Sequence, residues 1–89
     1  MASMLIQIKV EDFAEWKNGF NSGDDLRASN GEISHQIYHD ASDPNNVAVF
    51  FKWNSLANAQ SFSRSPELKA AMEKAGVLGQ PNVYFLNEA

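Results

Sequence analysis

Residues 4–10 put Met4, Ile6, Ile8 and Val10 on one side of an extended chain, against Leu5, Gln7 and Lys9 on the other. A strand with one wholly apolar side must lie on a core, and that requirement fixes the sense of every strand paired with it. The same two-residue period returns twice. Over 32–39 it groups Ile33, His35, Ile37 and His39 against Ser34, Gln36 and Tyr38. Over 47–53 it groups Val49, Phe51 and Trp53 against Ala48, Phe50 and Lys52. Residues 83–86 read as a short last strand. Residues 40–46 read as a turn: Pro44 presets φ, and Asp43, Asn45 and Asn46 accept turn geometry.

Helical spacing fills the gaps. Asp12 followed by Glu15 fits a capping box, and Phe13, Trp16 and Phe20 form one apolar stripe. Gly19 and Asn21-Ser22-Gly23 weaken that helix, which is expected to break before Asp24 and resume through Leu26, with Gly31 as its stop. Ser55 is a natural cap for a second helix carrying Ala59 and Phe62. Ser65-Pro66 restarts it, Leu68, Ala71, Met72 and Ala75 make its stripe, and Gly76 ends it. The order is β-α-β-β-α-β, an α+β, ferredoxin-like arrangement with a four-stranded antiparallel sheet.

Two helices cover one face of such a sheet. The other would display Leu5, Tyr38, Phe50, Tyr84 and Leu86 beside Gln7, Lys9, Gln36 and Lys52, too much apolar surface to leave wet. A homodimer is expected, two such faces meeting as a dimeric α+β barrel. At 89 residues the chain allows one domain, expected over 4–89. Met1-Ala2-Ser3 carries no pattern and is expected to be a disordered or vector-derived start.

Eleven acidic residues against seven basic give a net charge of −4. That balance speaks against nucleic acid and anionic membranes, both of which favour basic surfaces. Phe50 and Phe51 superficially resemble the paired aromatics of RNA-recognition domains. They are adjacent, however, so they face opposite ways, and the glycine and basic residue of that motif are missing. No apolar run approaches the ~20 residues of a membrane-spanning helix. The chain has no cysteine, which removes disulfides, thiolate metal sites and a Cys nucleophile, and favours the cytoplasm. The glycines fit no nucleotide fingerprint. No cofactor and no metal are expected.

Residues 10–17 (Val-Glu-Asp-Phe-Ala-Glu-Trp-Lys), Asp40-Ala41-Ser42-Asp43-Pro44-Asn45, Trp53-Asn54-Ser55-Leu56 and Ser65-Pro66-Glu67-Leu68-Lys69-Ala70-Ala71-Met72 together resemble the antibiotic biosynthesis monooxygenases, especially their small single-domain members. The resemblance runs from Met4 to Glu88. It implies a dimer whose sheets form a barrel, with a ligand cleft between sheet and helices in each subunit. Some proteins of this kind oxidise polycyclic phenols to quinones with O2 and no metal or flavin; others degrade haem. The haem-degrading branch has a Trp and an iron-ligating His where this chain has Phe62 and Met72, and Gln7 is the nearest counterpart of its first-strand Asn. Without that imidazole, haem ligation of that kind is lost.

The resemblance implies a cofactor-independent monooxygenase, or a related small-molecule enzyme, acting on an aromatic or polyketide-like substrate. The other reading is a non-catalytic ligand-binding dimer. His35, an imidazole on the helix-facing side, is the candidate catalytic base, although a partly buried histidine is as readily a satisfied structural residue. His39 lies beside the turn, and the pair lacks a third ligand for a metal. Trp53, Phe62, Trp16, Met72 and Asn54 are the candidate substrate-binding residues. The aromatic ones at strand and helix spacing also suit plain core packing, and Asn54 also suits the turn. Arg27 suits the end of the first helix or a carboxylate partner, and less readily an anionic ligand.

Overall fold

The computed structural model describes residues 2–89. Four strands, β1 (Ala2–Val10), β2 (Glu32–His39), β3 (Asn46–Trp53) and β4 (Val77–Leu86), make one antiparallel sheet in the order β2-β3-β1-β4. The two most apolar strands, β1 and β3, sit side by side in the middle. Their helix-facing residues, Met4, Ile6, Ile8 and Val10 opposite Val47, Val49, Phe51 and Trp53, are all buried.

Each expected helix comes as two. The first divides into α1 (Phe13–Ser22) and α2 (Asp24–Asn30) about Gly23, and the second into α3 (Leu56–Ser63) and α4 (Pro66–Lys74). Side-chain caps set three of the starts: Asp12 accepts from the Glu15 amide, Ser55 from Asn58 and Ser65 from Leu68. The turn ahead of β3 clamps the first of these, because Asn45 Oδ1 accepts the Phe13 N–H at 3.1 Å. Gly31 ends α2 at φ 116°, a left-handed geometry that penalises any Cβ. Helix α2 therefore runs past Leu26 to Asn30.

Three expectations change. The first strand starts at Ala2, not Met4: Ala2 is buried opposite Trp53, and Ser3 pairs with Lys52 and Leu86. A patternless start thus belongs to the sheet, while Met1 lies outside the described residues. The last strand starts at Val77 rather than Val83. A bulge takes Gly79 and Pro81 into the strand, the register jumping from Lys9↔Leu78 to Gln7↔Asn82 with Gly79 at φ 68°. Finally, Ile33 does not share the helix-facing side with His35. Between Glu32↔Trp53 and Ser34↔Lys52 a second bulge adds one residue, so Ile33 swings out to 53% exposure and Glu32 takes the inward place.

Candidate functional site

A narrow cleft of about 80 Å³ opens between the sheet and the helices. Ile6 and Phe51 form its floor. Trp16, Gly19 and Phe20 come from α1, Leu26 and Arg27 from α2, Phe62 from α3, and Glu67, Leu68, Ala71 and Met72 from α4. The helix break at Gly23 lets these walls converge, since it turns the chain after α1 and brings Arg27 back over the end of that helix. A Cβ on Gly23 would stand 3.0 Å from the Arg27 guanidinium, close enough to press on the end of that side chain. Gly19 similarly allows α1 to meet the end of α4, its built Cβ lying 3.1 Å from that of Ala75.

Arg27 is the one buried charged residue among those described, at 5% exposure. Its guanidinium stacks 3.7 Å above the Phe20 ring. Nε donates to Glu32 at 3.0 Å, one terminal nitrogen donates to the Phe20 carbonyl at 2.8 Å, and the other donates to Asp24. The two carboxylate partners differ in environment: the Glu32 side chain is 8% exposed and that of Asp24 58%. Glu32 also lies 3.3 Å from His35 Nδ1, so Arg27, Glu32 and His35 form one connected polar group at the β2 edge of the aromatic cluster. The bulge at Ile33 creates this group by turning Glu32 inward. A strict two-residue period hides it, and a glutamate beside a glycine stop carries no signal of a bulge.

The structure brings together three of the expected substrate-binding residues: Trp16, Phe62 and Met72 line the cleft. Trp53 lies behind it, fully buried, with its ring 5.1 Å from that of Phe62; its indole N–H has no acceptor among the described residues. Asn54 is elsewhere. It packs against Gly31, its amide N–H bonding the Gly31 carbonyl and its side chain accepting from Asn58, so it serves the turn. His35 is not on the cleft wall; its ring meets the Phe20 ring edge-on at 4.9 Å. His39 is exposed and meets Phe13 edge-on. As it stands the cleft does not admit a ring system, with Trp16, Phe20, Phe62 and Met72 crowding its walls. A cavity that takes benzene measures about 150 Å³.

The family profile of the antibiotic biosynthesis monooxygenases matches residues 1–74. The chain belongs to that family. Strand β4 lies beyond the matched segment, yet solved structures of family proteins align over it as well. A proposed antibiotic biosynthesis monooxygenase from Bordetella bronchiseptica superposes with a TM-score of 0.82 at 14% identity, covering 99% of this chain and 96% of the other. A mutant form of SnoaB from Streptomyces nogalater, a cofactor-independent oxygenase, gives 0.76 at 12% identity, covering 98% and 91%. A proposed antibiotic biosynthesis monooxygenase from Caulobacter crescentus gives 0.75 at 17% identity, covering 99% and 89%. At these identities the likeness is one of fold. No curated protein matches the chain in sequence. Among the described residues no helix is long and apolar enough to cross a membrane, and no three His, Asp or Glu side chains group as metal ligands.

Proposed function

We propose that this antibiotic biosynthesis monooxygenase family member is a small-molecule oxygenase that acts on an aromatic substrate in the sheet–helix cleft and works as a homodimer in the cytoplasm. The observation that carries the reading is the cleft itself, which sets flat aromatic walls beside one buried guanidinium. Such a lining suits a planar apolar molecule bearing a polar oxygen. Membership of the family, and a fold shared with a cofactor-independent oxygenase, support oxidation by O2 without a metal or flavin.

In that chemistry the protein holds a phenol and removes its hydroxyl proton, with His35 as the base. The electron-rich ring carbon then bonds to O2. Loss of the ring C–H proton and cleavage of the O–O bond leave a quinone and one water for each O2 consumed. Two movements accompany substrate entry. The Phe20 ring turns aside to let His35 reach the hydroxyl, and α4, no side chain of which is fully buried, yields to widen the cleft.

An oxygen electrode and a panel of hydroxylated polycyclic phenols test this. We expect one O2 consumed per quinone formed and a loss of about 100-fold or more in His35→Ala, the usual range for a general base. Wild-type turnover by His35→Ala would remove His35 from the mechanism. A second reading, a ligand-binding dimer without catalysis, is favoured by the place of His35 off the cleft wall. Saturable binding with no oxygen uptake would select it.

The homodimer rests on the uncovered sheet face. There Tyr84, Leu5 and Phe50 lie in one row across three strands, with Leu86 and Tyr38 in the neighbouring rows. Light scattering is expected to return twice the chain mass of 9.9 kDa at micromolar concentration. A single-chain mass would exclude the dimer.

A further inference from the structure

We propose that Arg27 is the anchor for an anionic oxygen on the cleft's ligand, and that Asp24 is a built-in competitor which the ligand displaces. The ligand class is a planar aromatic acid, one ring system carrying a single carboxylate or ionised hydroxyl. This inference rests on the reading of the cleft as a ligand site and adds to it the charge that the ligand must bring.

A guanidinium has five N–H donors, and three hydrogen bonds account for three of them here. Each terminal nitrogen keeps one N–H without an acceptor among the described residues, on a side chain that is 5% exposed and lines a cleft that is mostly apolar. Charged donors in such surroundings gain strongly from a charged acceptor. The existing partners are not equivalent. Glu32 is held on the sheet by the β2 bulge and is nearly inaccessible, so it fixes the guanidinium in place. Asp24 stands at the start of α2 with its side chain 58% exposed, so water can take it up at little cost when another anion arrives. A ligand carboxylate that replaces Asp24 keeps the charge balance around Arg27 unchanged. Glu67, the other charged side chain on the cleft wall, belongs to α4, so the acidic end of the ligand is directed to the α2 side.

The test uses the intact protein with 2-naphthoate and its uncharged isostere 2-naphthamide, each followed by calorimetry and by backbone amide shifts of the cleft residues. Asp24→Asn removes the competing charge from an exposed position. It is expected to tighten 2-naphthoate by about threefold, in line with the worth of a largely exposed ion pair, and to leave 2-naphthamide unchanged. Arg27→Gln is expected to weaken 2-naphthoate by about tenfold or more while sparing the amide. Arg27→Lys keeps the charge and provides the same comparison should the glutamine variant fold poorly. A structural role alone gives no reason for Asp24→Asn to tighten anything. Unchanged or weaker naphthoate binding in Asp24→Asn overturns the proposal, as does equal binding of acid and amide by the wild type. Binding of neither probe overturns both this inference and the cleft reading beneath it. Acid-selective binding without oxygen consumption upholds the inference and removes only the oxygenase activity.

Discussion

The two faces of the sheet are built from the same four strands and differ in how completely they are buried. On the helix side, the inward residues of β1 and β3 are at most 5% exposed. On the other side, Tyr38 and Tyr84 remain 54% and 52% exposed, and Leu86 40%. Alternation delivers apolar side chains to both faces, but one chain has helices enough for only one of them. The difference separates two kinds of surface: the covered face contains the cleft and its polar group, and the uncovered face is the one on which the proposed homodimer rests.

The largest break in that contrast is expected from Trp53→Ala. The side chain is fully buried between Phe51 and Phe62, and its removal is expected to cost about 3–5 kcal/mol in chemical denaturation. Stability within about 1 kcal/mol of wild type, the size of an ordinary surface change, would mean that the core does not depend on this side. Glu32→Ala tests the polar part of the covered face. It leaves Arg27 with only its exposed carboxylate partner, and a loss of about 3 kcal/mol is expected by the same measurement. Phe50→Glu probes the uncovered face, where its effect is expected in mass rather than in folding. Light scattering should show single chains, while the unfolding midpoint measured on those single chains stays near that of a wild-type monomer. A variant that keeps the wild-type mass would move the interface elsewhere.

The smallest effect is expected at Asp40, on the turn before β3. The backbone N–H of Ser42 holds its carboxyl below the ordinary carboxylate value of 3.8; burial opposes this, and the Ser42 hydroxyl and the Asp43 amide add to it. A carboxyl with a lowered folded pKa favours the native state above its unfolded value and loses that contribution as pH falls through the folded one. Asp40→Asn should therefore lower stability slightly and evenly above about pH 4, where an unfolded Asp titrates, and the difference from wild type should close as pH falls through the folded value.

Much of the fold was legible because its signals are local. The alternation at Met4, Ile6, Ile8 and Val10, the caps at Asp12, Ser55 and Ser65, and the stop at Gly31 each act within a few residues, and each is where the sequence put it. The cleft was partly legible: Trp16, Phe62 and Met72 follow from helical spacing and meet there. Trp53 and Asn54, expected there on sequence, lie outside it. Alternation says that Trp53 faces inward, but not that Phe62 comes between it and the cleft.

What the sequence alone determines here is the set of elements, their order and the inward side of the central strands, because period and capping are properties of neighbouring residues. Tertiary structure decides the rest. Pairing with β1 draws Gly79 and Pro81 into the sheet, and pairing with β3 and β4 draws in Ala2 and Ser3, since a backbone group gains its partner from the neighbouring strand whatever its own side chain favours. One extra residue in β2 exchanges Ile33 for Glu32 on the inner side and so creates the group that holds Arg27 in place. A bulge is a mismatch between two strands, and neither strand carries it by itself.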